Sequence, residues 1–99
     1  SKKQVESVEK AKEKESEERE KAKKKGMKLD EYRAWRDREL WMNEYNALRK
    51  KKYLEGGLTP EEEQKMVDLE PKLHATGGVP PPSKAMLDLL AKKGITIPM

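Results

Sequence analysis

The first 25 residues, SKKQVESVEKAKEKESEEREKAKKK, carry only Val5, Val8, Ala11 and Ala22 as apolar side chains. A globular core needs apolar area to bury, and this stretch supplies next to none. It contains no Gly or Pro, and nearly every residue in it is a good helix former. It therefore reads as a lone solvated helix or a disordered arm. The whole chain reads as an extended helical part that leans on something larger.

Inside the arm, Glu6–Lys10, Glu15–Arg19, Glu17–Lys21 and Glu20–Lys24 stand at i,i+4 in the favourable Glu-first order. Each such pair contributes about 0.2–0.5 kcal/mol. Glu9–Glu13 and Lys10–Lys14 are like-charge pairs that subtract from the sum, so an isolated helix here is marginal. A helix of about 24 residues reaches roughly 36 Å. Val5 and Val8 make a short sticky patch near its start, but the sustained apolar heptads of a coiled coil are missing.

The remainder is short. A chain of 99 residues accommodates one small domain at most. Charged residues make up 42% and apolar residues 33%, against roughly 25% charged in an average domain. Cys is absent, which removes disulfides and thiolate metal sites and permits a reducing compartment. No stretch approaches the roughly 20 apolar residues of a membrane span, and the N-terminus shows no apolar signal-peptide core. The residues do not select a location; an intracellular one, cytoplasmic, nuclear or mitochondrial matrix, is permitted.

Four segments follow from the punctuation. Residues 1–26 form the charged arm, which Gly26 ends. Residues 27–57 hold an aromatic-rich helix, about 30–55, that Asp30 caps with Glu31 in its first turn. This helix contains both Trp and all three Tyr. On a helical wheel, Leu29, Leu40, Ala47 and Leu54 fall on one side; Ala34, Trp41, Tyr45 and Leu48 fall on another, flanked by Trp35, Met42 and Tyr53. These are two faces separated by charge, where a surface helix of a small monomer needs one. One face is expected on the chain's own later helices and the other on a partner.

Gly56-Gly57 ends that helix, and residues 58–78 open with LTPEEE. Thr59 as N-cap, Pro60 at N1 and Glu62 at N3 compose a capping box. The predicted helix covers about 60–70, with Met66, Leu69 and Leu73 at helical spacing. Pro71 predicts a stop or kink, followed by one loose turn to Ala75. In residues 79–99, Val79-Pro80-Pro81-Pro82 predicts a stiff polyproline II strap. Ser83 caps a last helix, about 84–93, with Met86, Leu87, Leu90 and Ala91 on one side. Gly94 suits the C′ position of a Schellman motif in which Leu90 and Ile95 stand at C3 and C″. The tail Ile95-Thr96-Ile97-Pro98-Met99 is apolar and extended. No internal repeat is present.

Catalytic chemistry finds little support. His74 is the only histidine and sits in the loose turn, without the orienting partner and shielded pocket that a general base needs. Glu61-Glu62-Glu63 suits a helix N-terminus better than a cation site, whose ligands space around a turn. Neither GG pair is followed by the Lys-Ser or Lys-Thr of a phosphate loop. The residues imply no cofactor and no metal, and the chain is read as a non-enzyme.

Two binding surfaces stand out instead. The candidate protein interface comprises Tyr32, Trp35, Trp41, Tyr45, Leu48, Ile95 and Ile97, because large amphipathic rings are typical interface anchors. The candidate RNA contacts are Lys23, Lys24 and Lys25 with Arg49, Lys50, Lys51 and Lys52, since basic groups neutralise phosphate and nearby tyrosines stack on unpaired bases. The second basic cluster has a plain rival explanation: cations suit the negative end of a helix. Net charge is +4, a mild surplus spread over both signs.

The expected fold class is therefore all-α and extended. It comprises a long charged N-terminal helix, an aromatic-rich central helix, and two short C-terminal helices joined by a Pro-rich strap. The expected function is that of a structural or interaction subunit clamping other protein subunits in a large assembly, with a ribonucleoprotein such as a ribosome or splicing complex favoured. An accessory subunit of a respiratory or cytoskeletal complex, a direct RNA-binding or ribosome-associated factor, and a helical inhibitor of an enzyme are the alternatives. In each the chain is not a self-sufficient globular monomer and spans no membrane.

Overall fold

A computed structural model describes residues 2–97 of the chain, with side chains described from residue 8 onward. The fold is all-α. Four helices follow in order, α1 (Lys2–Lys24), α2 (Leu29–Leu54), α3 (Pro60–Ala75) and α4 (Lys84–Lys92), with no strand among the described residues. Two compact units divide between Asp37 and Arg38, inside α2.

In the first unit the arm is helical, as one of its two expected forms, but it is not solvated throughout. Ala22 and Glu18 of α1 are buried together with Tyr32 of α2. The cause is the turn after α1. Gly26 takes φ +68°, the Gly26 N–H donates to the Lys23 carbonyl at 3.0 Å, and the Met27 N–H donates to the Ala22 carbonyl at 2.9 Å. This is a Schellman ending, and its left-handed residue favours Gly because no Cβ crowds the carbonyl. Of the four ion pairs expected in the arm, Glu15–Arg19 forms at 2.8 Å. Val8 is exposed, while Val5 and Glu6 lie outside the described side chains.

Asp30 is not the cap of α2. The helix begins at Leu29, and the Tyr32 N–H donates to the Lys28 carbonyl at 2.9 Å. The chain re-enters helical geometry directly after the glycine turn, ahead of Asp30. Asp30 and Glu31 therefore stand in the first turn, where their charge complements the helix dipole.

In the second unit α3 returns along α2. Lys51 meets Glu62, Glu44 meets Lys65, and Arg38 meets Leu73 and Thr76, so rising positions on one helix match falling positions on the other. The pair is an antiparallel hairpin. Its core is Tyr45, Leu48, Met66, Leu69 and Leu73, with Trp41, Met42, Leu58 and Val79 packed against it. Leu73 is wholly buried, with 0% of its surface exposed.

The start of α3 follows the sequence reading closely. Thr59 Oγ1 accepts from the Glu62 N–H at 3.2 Å, and a Glu62 carboxylate oxygen accepts from the Thr59 N–H at 3.0 Å. The predicted stop at Pro71 does not occur: α3 continues through it to Ala75. The residue four before Pro71 is Val67, and both are exposed. The carbonyl that loses its donor therefore lies on a face open to water, while Met66, Leu69 and Leu73 hold both sides of the proline against α2.

Ser83 caps α4 by accepting from the Met86 N–H at 3.2 Å. The expected Schellman ending is present. The Gly94 N–H donates to the Ala91 carbonyl at 3.1 Å and the Ile95 N–H to the Leu90 carbonyl at 2.9 Å, with Gly94 at φ +70°.

Candidate functional site

The aromatic helix turns several of its expected interface residues inward. Tyr32 is buried in the first unit, and Tyr45 and Leu48 are core residues of the second. Trp41 is half-buried against that core, with Lys72 Nζ 5.6 Å from its ring centre. The physical reason is the return of α3, which covers the Trp41–Tyr45–Leu48 face. Trp35 is the outward ring of the set, 37% exposed. It is tilted against Tyr32 at 6.0 Å, and Lys25 Nζ lies 4.0 Å above it. Ile95 and Ile97 are half-buried. Pro98 and Met99 of the expected apolar tail lie outside the described residues.

The other face of α2 stays open. Leu40 is 59% exposed and Ala47 is exposed, whereas Leu29 and Leu54 are half-buried. Further large apolar side chains stand in water at Val67 of α3 and at Leu87 and Leu89 of α4. Helical spacing placed Leu87 on the apolar side of α4. It gave no sign of Val67 or Leu89, which lie off the stripes that cover the core.

The basic residues divide by location. Lys23 and Lys24 are exposed at the end of α1. At the end of α2, each member of the cluster meets a group of this chain. Lys51 Nζ donates to both carboxylate oxygens of Glu62, at 2.8 and 2.7 Å. Lys52 lies 3.6 Å from Glu63 and Lys50 lies 3.8 Å from Glu55. Hydrogen bonding from Lys51, then from the Thr59 N–H, holds the Glu62 carboxyl below the usual carboxylate range.

Arg49 differs from its neighbours. It is only 6% exposed. Its Nη2 donates to the Pro80 carbonyl at 2.6 Å and to Asn46 Oδ1 at 2.9 Å, while its Nε is buried with no partner. The guanidinium carbon lies 4.9 Å from the centre of the Tyr45 ring. Burial disfavours the charged form and pulls the Arg49 pKa down, with no carboxylate offsetting it. Burial also pushes the Tyr45 hydroxyl up, and Glu70 adds to that.

Arg49 and Tyr45 belong to a cleft of about 470 Å³ between α2, α3, the strap and the tail. Tyr53 and Met66 contribute to its walls, the three strap prolines and Ile97 bound it, and Lys52 and Glu70 add charge. Pro82 is buried and Val79 packs on the core, so the strap is laid onto the hairpin rather than held off it.

Two further arginine arrangements were not legible in the sequence. Arg38 closes the end of α3: its Nη1 donates to the Leu73 carbonyl at 3.2 Å and to Thr76 Oγ1 at 2.9 Å, and its Nη2 to the Gly78 carbonyl at 2.9 Å. In the first unit Arg33 Nε donates to Glu18 Oε2 at 2.7 Å, with Arg36 Nη1 3.2 Å from Glu18 Oε1. The hydrogen bond from Arg33 and then that from Arg36 hold the Glu18 carboxyl below its ordinary range against the effect of burial. Nothing local to these residues marks their partners.

His74 is exposed in the last turn of α3. Among the described residues, no group of three or more His, Asp or Glu side chains is placed to hold a metal ion. No described helix is long and apolar enough to cross a membrane. Comparison with known protein families, with characterised proteins and with solved structures found no match.

Proposed function

We propose that the chain is a non-enzymatic interaction subunit that clamps neighbouring protein subunits in a large assembly, with a ribonucleoprotein as the favoured setting. The observation that carries this reading is the set of large apolar side chains left in water after the hairpin core is complete, led by Leu40 at 59% exposure. Leu40 and Ala47 are seven residues apart on α2, which puts them on one side of the helix two turns apart. Leu87 and Leu89 expose further apolar surface on α4. Apolar surface of this kind is typical of sites that associate with another protein. The anchors of the clamp are then Trp35, Leu40 and the α4 leucines, while Trp41, Tyr45 and Leu48 belong to the hairpin core and its edge.

A second reading is direct RNA contact through the exposed end of α1. It is favoured by Lys23 and Lys24, for which no carboxylate lies within ion-pair distance among the described residues. A co-purification experiment at two salt concentrations separates the two. The Leu40→Asp/Leu87→Asp variant is expected to lose its partners at both salts while its melting is unchanged. The Lys23→Glu/Lys24→Glu variant is expected to retain them. The reverse ranking, with binding that falls steeply as salt rises, would assign the function to phosphate contact.

A further inference from the structure

A guanidinium withdrawn from water without a counter-charge is a costly arrangement, and proteins normally place a carboxylate or bound anion beside it. Arg49 is withdrawn to 6% exposure, and no acidic side chain among the described residues pairs with it. Its two hydrogen bonds leave through Nη2 alone, and both go to neutral acceptors. Its buried Nε has no partner.

The cleft beside it is about 470 Å³, within the range of small-ligand sites. Its charged lining is Arg49, Lys52 and Glu70. Lys52 already has Glu63 at 3.6 Å. Arg49 is then the cation of the lining with no carboxylate at ion-pair distance among the described residues, so a single negative charge complements it, and a phosphate dianion would also face Glu70. The remaining walls are Tyr45, Tyr53, Met66 and strap prolines, which suit an apolar or aromatic body.

We propose that this cleft binds a monocarboxylate carried on an aromatic or branched apolar body, its carboxylate meeting the Arg49 guanidinium and its body lying among Tyr45, Tyr53 and Met66. Arg49 supplies the planar donor fork that carboxylates match. The strap closes one side of the site, and the Pro80 carbonyl orients the guanidinium. This site is separate from the exposed leucines of the clamp, and its test leaves assembly untouched.

The purified full chain is titrated with 3-phenylpropionate, with its neutral amide and with inorganic phosphate, and followed by circular dichroism melting. A ligand that binds only the folded state stabilises it, so the readout holds for a marginal chain as well as a stable one. The expected result is a saturable rise in melting temperature with 3-phenylpropionate and none with the amide. Phosphate is expected to be weaker by about tenfold or more, a difference resolved by the midpoints of the titrations. No rise at concentrations of about 10 mM, or an equal rise with the amide or with phosphate, would overturn the proposal. A blocked Phe-Glu dipeptide identifies the source. A rise with it assigns the carboxylate to a partner's acidic side chain, and a rise with the free acid alone assigns a small-molecule ligand; both support the site.

Arg49→Met is expected to abolish the response; loss of the Pro80 hydrogen bond and relief of an uncompensated buried charge act in opposite directions on its melting temperature. Retained binding in Arg49→Met would place the ligand elsewhere. If that variant does not fold, Glu70→Gln decides, since it keeps Arg49 and removes the like charge. It should tighten 3-phenylpropionate by about twofold or more, and unchanged or weaker binding counts against the site.

Discussion

Nη2 of Arg49 donates to the carbonyl of Pro80 at 2.6 Å, which fastens the Pro-rich strap to the last turns of α2. The strap is therefore part of the hairpin's covering. Replacing Pro80, Pro81 and Pro82 together by Gly should lower stability by about 1–3 kcal/mol, because the unfolded chain gains freedom at each position. Pro82 also loses its buried ring. Helix content of α2 and α3 should survive, and, if the proposed function holds, capture of partner subunits should weaken. Urea denaturation with co-purification measures both. An unchanged midpoint would mean that the prolines add no order.

Leu73 is the most enclosed side chain of the core. Leu73→Ala should cost about 2–5 kcal/mol through lost burial and the cavity left behind. Leu40→Ala, at an exposed position of α2, should stay within about 0.5 kcal/mol of the parent. Thermal melting of the two variants side by side checks the assignment of inner and outer faces. Equal losses would contradict it.

Arg38 and Gly77 form a tight junction at the end of α3. A Cβ on Gly77 would stand 3.3 Å from the Arg38 guanidinium carbon, and Gly77 has φ +123°. Gly77→Ala should therefore destabilise by more than about 1 kcal/mol, from backbone strain and crowding together. Arg38→Met should cost about 1 kcal/mol by removing donors from the Leu73 and Gly78 carbonyls. In the double variant the crowding disappears while the strain remains, so the losses should add to less than their sum. Full additivity would show that the guanidinium does not press on Gly77.

Acid should loosen the α2–α3 hairpin at Glu62. Its pKa in the folded chain is lowered, first by Lys51 and then by Thr59. A lowered folded pKa stabilises the fold at pH values above the ordinary carboxylate range, and that contribution is lost as pH falls through the folded value. Glu18, lowered by Arg33 and Arg36, acts in the same direction in the first unit. Melting temperature should fall on acidification below about pH 4.5. Glu62→Gln keeps a capping-box side chain at N3 and should flatten the part of that dependence which belongs to the hairpin. A pH profile identical to the parent's would remove Glu62 from the account.

The starts of α3 and α4 and the glycine ends of α1 and α4 were legible because the groups that make them lie within a few residues of one another. Thr59 reaches the Glu62 N–H, Ser83 reaches the Met86 N–H, and glycines at positions 26 and 94 turn the chain where no side chain is tolerated cheaply. The all-α class follows from the same local signals. What faces what was decided at longer range. Trp41, Tyr45 and Leu48 carry the same apolar pattern whether they meet a partner or the chain's own α3, and only the antiparallel return of α3 buries them. Pro71 sits in a helix interior because tertiary contacts on both sides offset one missing hydrogen bond. Arg38, Arg49 and Glu18 find partners 35, 31 and 15 residues away. Charge patterning along the chain does not encode such separations, since a basic residue towards a helix's C-terminal end has the same sequence signature whether it is solvated, paired or, like Arg49, buried against a carbonyl. Local chemistry alone set the starts of α3 and α4 and the helical class of the fold. The packing of α3 and the strap onto α2 decided which of its charges remain free, because burial and pairing exist only once distant segments meet.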